Sequence, residues 1–576
     1  MVRLNFSNAF NTLRRDSMLS AVLDTFPELY KFCHLAYHNS SFLKFGPHTI
    51  LSEEGPQQGD PLGPLLFCLT VQPLLSSLNS NLVMGFLDDF TIGGSLTSVS
   101  QDVDQVRDAG ARLGLHLNVA KCELISSVCP PTLSPLMSDF THRVPADSTL
   151  LGAPLLVGGA LDSAWDKCCA SLSLAIERLV SLPAHDALIL LRASFSSPKV
   201  SHLLRCAPCS NHPSLIVFDD LLKLGISRIT NLELSDAQWL QASLPVRDGG
   251  LGIRRVSSLA TSAYLASAAS THELQCLILA GTPSSGVADP LVAEFSDSWS
   301  AMSCLPPVSF PASSKQSAWD RPLIDMDRSS LSLTFSDPVN SARFLSATSP
   351  HSGDWLHALP ISSCGLRLDD EAIRVAVGLR LGVDLCEPHT CPCGSVVDTS
   401  GIHGLSCRLA CGRQARHHAI NDIIWRSMSS AGVPSTKEPV GLLRNDGRRP
   451  DGVTLDPWRN GKSAAWDVTI VNPLADSYLA IASNTPCGVA EMAASKKVEK
   501  YADLPASYIF QPLAFETLGS LNSSGVDFLS DLGYRLKQST GILRSVEFLF
   551  QRIAISLQRY NAVAFKGSFF FPAEHE

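Results

Sequence analysis

Two adjacent aspartates, Asp88 and Asp89, lie between the apolar runs Leu82-Val83-Met84-Gly85-Phe86-Leu87 and Phe90-Thr91-Ile92. Short apolar runs flanking a polar pair predict a β-hairpin with both carboxylates at its bend. Like charges held side by side at a strand end need neutralising, and a divalent cation is the usual solution. This stretch therefore suits a hairpin whose bend is either a solvated turn or a metal-binding one. Three other segments frame it. Leu4-Asn5-Phe6-Ser7-Asn8-Ala9-Phe10-Asn11 reads as a strand end turning into a helix. Gly55-Pro56-Gln57-Gln58-Gly59-Asp60-Pro61-Leu62-Gly63-Pro64 has glycines that allow backbone to approach a ligand, and a helical run follows. Gly114-Leu115-His116-Leu117-Asn118-Val119-Ala120-Lys121 predicts a lone Lys121 after an apolar strand.

The chain has 576 residues, room for about three to five domains. Apolar residues make up 45% and charged residues 17%, which excludes global disorder. A net charge of -9 excludes a uniformly basic nucleic-acid coat but not a local basic face. Seventeen cysteines, mostly scattered singly, suit a reducing compartment with one metal cluster rather than a disulfide scaffold. No apolar run approaches the ~18–20 residues of a membrane span, and the start lacks a signal-peptide pattern. The expectation is a soluble, intracellular α+β multidomain chain. Residues 1–130 alternate strand and helix patterns. Residues 131–275 are Leu/Ala/Ser-rich and helical. Residues 276–380 form a linker or helical connection, with Pro/Ser/Gly clusters over 276–325 predicting loop. A Cys/His cluster and basic helix fill 381–430, and 431–576 returns to an α/β texture.

In that cluster, Cys391, Cys393, His403 and Cys407 match a structural tetrahedral zinc site. Cys391 and Cys393 are separated by a single residue, tighter than usual, so Cys386 or His389 stands as an alternative to Cys391, and Cys411 is a spare. Arg413, Arg416, His417 and His418 follow on a predicted helix, placed to meet phosphates.

Further on, Arg448-Arg449-Pro450-Asp451-Gly452-Val453-Thr454 puts an acid at the entry to an apolar run, and fifteen residues separate Asp451 from Asp467. Both acids suit strands of one hairpin. Two carboxylates from neighbouring strands, with a Lys nearby, can hold Mg²⁺ and activate water for phosphodiester cleavage. The helical stretch after them offers Lys496, Lys497 and Lys500, followed by Tyr501. Glu438, expected on a preceding helix, is a possible third acid. Between Arg408 and Ala465 ten Lys/Arg face five Asp/Glu, a local basic footprint suited to DNA.

The first four segments, in this order and spacing, resemble motifs A to D of reverse transcriptases, specifically those of non-LTR retrotransposons. Leu151-Gly152-Ala153-Pro154-Leu155 resembles the turn that grips the primer end, 190–205 the thumb helices, and Trp239 to Ile253 a further block of the same elements. The cluster followed by Pro-Asp, Asp and Lys-x₃-Tyr resembles the zinc knuckle and PD-(D/E)XK endonuclease of elements with a restriction-like nuclease. The resemblance implies a palm, a helical thumb, the knuckle and a C-terminal α/β nuclease domain. It implies two Mg²⁺ (or Mn²⁺) ions at Asp88, with Asp89 beside it, and another at Asp451 and Asp467. Phe10 would gate the ribose 2′-hydroxyl, Gln58 and Gly59 would position template and deoxynucleotide, and Lys121 would sit near the leaving pyrophosphate. Arg448 and Arg449 would bind substrate. Partners would be an RNA template and target DNA in the nucleus, with no membrane; nothing in the sequence fixes an oligomeric state.

Two departures shape the expectation. Motif A should supply an aspartate where Asn5 stands, and the chain begins at motif A, so the fingers expected before it are missing. Both predict an impaired polymerase in a truncated or degraded element. Thr469 occupies the family's usual Lys position two residues after the second nuclease acid, so the Lys is expected from the helix. The alternative reading is a non-catalytic nucleic-acid-binding remnant or a domesticated factor.

Overall fold

The computed structural model describes residues 1–130, 134–279, 289–306, 313–410, 412–442 and 449–569. Its first sheet has the order Leu82–Phe86, Asp89–Gly93, Val2–Leu4, Glu123–Ile125, Thr141–Arg143. Alternation decides its faces: Val2 and Leu4 are buried, while Arg3 between them pairs with Glu123. Across the strands Val2 stands opposite Ile92 and Leu4 opposite Phe90. The helices Gly63–Ser76 and Leu96–Arg112 cover this apolar face with Phe67, Val71, Val99, Val103 and Val106. The last three recur at the three- and four-residue spacing of a helix stripe.

Helices follow. Gly159–Leu179, Ser214–Thr230 and Val256–Leu279 form most of the next layer, as the helical pattern predicts. The loop expected over 276–325 is replaced in good part by the helices Pro290–Ser303 and Gln316–Thr334. Residues 280–288 and 307–312 lie outside the described residues. The prolines and serines misled because Pro290 opens a helix rather than breaking one. Asp289 accepts the Leu291 N–H at 2.9 Å, and a proline in the first turn has no N–H to lose. Phe295 and Trp299, one turn apart, then bury against Trp319 and Leu323.

The block Leu244 to Ile253 folds around an arginine from far along the chain. Arg380, buried in the Asp370–Leu381 helix, donates to the carbonyls of Val246 (2.8 Å), Gly250 (3.1 Å), Ala347 (3.1 Å) and Ser352 (3.2 Å). Burial pushes its guanidinium down to about 10. Gly250 fits because a Cβ there would lie 2.0 Å from the Leu244 carbonyl oxygen. A continuous apolar core runs from Leu161 and Trp165 through Trp355 and Val377 to Ile555 and Phe565.

The second large sheet has the order Ser435–Lys437, Gly452–Thr454, Ser463–Val471, Tyr508–Glu516. The first three strands are antiparallel; the last two are parallel, joined through the crossover helix Gly488–Lys500. Helices Gly412–Ser430, Ser523–Thr540 and Ser545–Lys566 pack around Trp466, Leu513, Phe528 and Ile553. Between the helical layer and this sheet sits a small hairpin, His389–Thr390 with Val396–Val397. It is seated on the last helix, where a Cβ on Gly401 would meet the Phe565 ring at 2.3 Å. No helix among the described residues is long and apolar enough to cross a membrane.

Candidate functional site

In the first sheet, Phe86 pairs with Asp89, leaving Leu87 and Asp88 as a two-residue hairpin turn. Leu87 has φ 58°, a left-handed conformation that costs a leucine about 1–2 kcal/mol. The strain sits beside the paired acids, where a glycine would relieve it. Continuing the register from Leu4 opposite Phe90 brings Asn5 level with Asp89. The Asn5 carbonyl accepts from the Asn118 N–H at 2.8 Å, and its N–H donates to the Cys122 sulfur at 3.4 Å. The register therefore sets Asn5 level with Asp89, one residue from Asp88 in the turn. Their donor set is two half-exposed carboxylates and one neutral amide, and among the described residues neither carboxylate has an ion-pair partner.

The surrounding motif residues are held by groups with no sequence signature. Phe10 stacks on Phe67, ring centroids 4.5 Å apart. Gln58 and Gly59 are exposed on their loop, with Gly59 at φ 91°. Gly55 allows a close approach, but to protein rather than ligand: a Cβ would lie 2.1 Å from the Phe10 carbonyl oxygen. Buried Arg15 donates to the carbonyls of Gly55 (3.0 Å) and Ser52 (2.8 Å), and the Tyr37 hydroxyl donates to Asp60. Burial, then the Asp60 carboxylate, pushes the Tyr37 phenol up to about 12. Lys121 does not follow a strand. It ends the helical turn Val119–Lys121 ahead of the Glu123–Ile125 strand, with its side chain exposed.

The Cys/His cluster closes on one point. The ligand atoms of Cys391, Cys393, His403 and Cys407 lie within 4.8 Å of one another. Cys391 and Cys407 sulfurs are 3.7 Å apart, and the Cys393 sulfur is 3.2 Å from His403 Nε2. Two thiolates about 2.3 Å from a tetrahedral zinc stand about 3.8 Å apart, so the donor set fits that ion. The two alternatives to Cys391 are engaged elsewhere. Cys386 points its thiol at the Asp398 carbonyl (3.3 Å), and His389 Nε2 lies 3.1 Å from the Ser568 hydroxyl. Cys411 lies outside the described residues. Of the basic residues after the cluster, Arg416 is buried, bonded to Asn561 at 2.6 Å, and so is unavailable to phosphates.

His417 turns instead into the second sheet. Gly452 pairs with Trp466 and Val453 with Ala465, so the register places Asp451 directly opposite Asp467. Opposed residues in an antiparallel pair share a face, about 4.5–5.5 Å apart between Cα atoms. Gly452 makes room: a Cβ there would lie 2.1 Å from the Trp466 ring. Each acid is held by polar groups. The Val468 N–H donates to Asp451 Oδ2 at 2.6 Å, and His417 Nε2 lies 3.1 Å from the same oxygen and from the Val468 carbonyl. Both neighbours are acceptors, so Nε2 carries the proton. The Asp451 hydrogen bond, outweighing burial, raises the His417 pKa. Asp467 is buried; Lys497 donates to its Oδ1, and the Tyr501 hydroxyl is 2.6 Å from Oδ2.

Of the three candidate lysines, Lys497 is brought onto Asp467. Lys496 lies over the Tyr478 ring, and Lys500 sits 3.1 Å from the Tyr501 hydroxyl. Glu438 is not helical: it follows the Ser435–Lys437 strand at φ 48°, and its carboxylate pairs with Arg449. The Arg449 carbonyl lies 2.8 Å from the Tyr501 hydroxyl. Arg448 is outside the described residues. His417, expected to meet phosphates and found on an acid, and Arg380, which no motif marks, owe their roles to contacts that only the fold creates.

A sheet with paired acids at a hairpin turn, fronted by a glycine-bearing loop and helix, is the architecture of a polynucleotide polymerase palm. Residues 1–152 match the reverse transcriptase (RNA-dependent DNA polymerase) family. Over 556 residues, 92% of its length, the chain is 22% identical to the retrotransposable element SLACS 132 kDa protein of Trypanosoma brucei gambiense. It spans 42% of that relative's length. The chain thus carries a reverse transcriptase domain and is homologous to a retrotransposable-element protein.

Proposed function

We propose that the chain is a non-LTR retrotransposon protein whose surviving chemistry is a metal-dependent DNA endonuclease. One observation carries this reading: Asp451 and Asp467 oppose each other across an antiparallel pair, with Lys497 on Asp467. The Lys497 ammonium stands where positive charge is wanted, and the acids fit a Mg²⁺ or Mn²⁺ ion. When bound, that ion would lower the pKa of its water and offset charge developing on a phosphate. Asp451 would be held ready by His417 and the Val468 N–H. Lys497 would orient Asp467 and add fixed positive charge near the scissile phosphate. The Cys391–Cys407 cluster would hold a structural zinc that fixes the start of the 412–430 helix, and so His417. In this reading the nuclease nicks target DNA in the nucleus, and the exposed 3′ end primes copying of an element RNA with deoxynucleotides.

A second reading, a polymerase reduced to nucleic-acid binding, is favoured in the palm by Asn5. Its amide can lend one oxygen to Mg²⁺ but no charge, and losing one bridging carboxylate costs several kcal/mol of transition-state stabilisation. The test of the main reading is nicking of supercoiled DNA in Mg²⁺ and in EDTA. Asp451→Ala is expected to abolish nicking while DNA binding persists. Equal cutting by Asp451→Ala and the parent would refute it.

A further inference from the structure

Beside the paired acids the molecule has a second feature that neither the palm nor the nuclease chemistry uses. Two clefts of about 610 Å³ and 480 Å³ adjoin, sharing Gly365 and Arg559. The larger lies between the helices Gly412–Ser430 and Ser545–Lys566. Small residues line it, Ala415 and Ala419 from one helix and Ser556 from the other. Its walls carry His418 and Lys437 on one side and Arg552, Arg559 and Tyr560 on the other. On the last helix Arg552, Ser556 and Arg559 recur at four- and three-residue spacing, so they share one face.

The charges in the cleft are cancelled from within only in part, by the Lys437–Asp422 pair. Its two acids are Asp422 and Glu438. Asp422 is engaged by Arg426 at 2.5 Å from outside as well as by Lys437 at 2.6 Å, and Glu438 is engaged by Arg449, also from outside. Arg559 spends part of its guanidinium on the carbonyls of Gly365 (3.1 Å) and Arg367 (2.9 Å). Arg552 has no hydrogen-bond or ion-pair partner among the described residues. A half-buried arginine without an acid, in a lining that also holds small residues and a tyrosine about 12 Å further along the same helix, suits a ligand that brings both negative charge and a flat ring.

The cleft leads to the acids. Asn421, in its lining, donates to the Asp451 carbonyl at 3.4 Å, and the Glu438 N–H donates to the same oxygen at 3.1 Å. His418 follows His417, whose ring touches Asp451. The two helices pack on each other, and helices in contact lie about 8–10 Å apart. A cleft of about 610 Å³ has room for part of one strand rather than for a duplex. A basic groove that tracks a backbone, with an aromatic ring for a base, is the chemistry of single-strand binding.

We propose that this cleft binds a single polynucleotide strand adjoining the Asp451–Asp467 centre, with Arg552 on a phosphate and Tyr560 against a base. The proposal rests on the nuclease reading only for the strand's destination, so binding is measured directly. Anisotropy of a labelled single-stranded oligonucleotide is followed across a salt series. Arg552→Glu is expected to weaken binding about tenfold and to flatten the salt slope by about one unit. His418→Glu, on the exposed opposite wall, is expected to weaken it too, with both variants melting as the parent does. Asp451→Ala should bind like the parent, so failed nicking and failed strand binding are told apart. Bound strand should also protect Cys364, an exposed thiol in the lining, from alkylation. A preference for DNA would mark a target strand and a preference for RNA a template; either supports the cleft. Unchanged binding in both charge variants, unchanged Cys364 alkylation, or tighter binding of a duplex lost in the same variants would overturn it.

Discussion

The two acid pairs of this chain are built in opposite ways. In the first sheet Asp88 stands in a strained turn and Asp89 opens the strand after it, both half exposed, with a neutral Asn5 level with Asp89. In the second sheet Asp451 and Asp467 sit across paired strands, and donors answer their charge: Lys497, Tyr501, His417 and the Val468 N–H. A turn can keep its acids in water at little cost. A buried carboxylate such as Asp467 cannot stand without partners, because removing one leaves an uncompensated charge. The difference teaches that the second site is tied to the stability of its domain, whereas the first can lose a member and leave the sheet intact.

That contrast can be broken or sharpened by substitution. The largest effect is expected at the metal cluster: Cys407→Ser should release zinc and cost on the order of 5 kcal/mol, because ligand binding and local folding are one event. Metal analysis and a chemical melt read both. Zinc retained with an unchanged melt would remove the cluster from the account. Next, Lys497→Met should lower nicking about 10²–10³-fold, roughly 3–4 kcal/mol of barrier, and also lower the melting temperature. A nicking loss with full stability would separate the two roles that the geometry joins. Gly452→Ala should destabilise by about 2 kcal/mol, since its Cβ meets the Trp466 ring. An unperturbed melt would show that the Asp451 strand has slack. The smallest effect has the opposite sign. Leu87→Gly should stabilise the palm by about 1 kcal/mol by relieving the left-handed turn. Destabilisation there would mean that the leucine side chain matters more than its backbone.

Much of both sites can be read from the chain because motif spacing maps onto strand register. Asp451 and Asp467 are visible as acids entering two apolar runs, and their opposition follows once those runs pair. The candidate zinc ligands are visible because short arms leave few geometries. The Lys is ambiguous in sequence: Lys496, Lys497 and Lys500 share one helix, and only the crossover's placement decides that Lys497 faces Asp467. His417 and Arg416 look alike as basic neighbours, yet one reaches an acid 34 residues on and the other is buried against Asn561, 145 residues away. Arg15, Tyr37 and Arg380 carry no local signal because their partners are backbone carbonyls and loops brought in by tertiary packing. Pro290 reads as loop only until Asp289 is seen to cap the helix it opens.

On the proposed reading the second acid pair still cuts DNA and the first no longer extends a primer. One preparation of the unmodified chain, assayed side by side in Mg²⁺, tests it most directly. One arm follows nicking of supercoiled DNA, and the other follows extension of a DNA primer on an RNA template. The expected result is nicking that EDTA stops, with little or no extension. Robust extension that Asp88→Ala abolishes, with no nicking, would contradict the account.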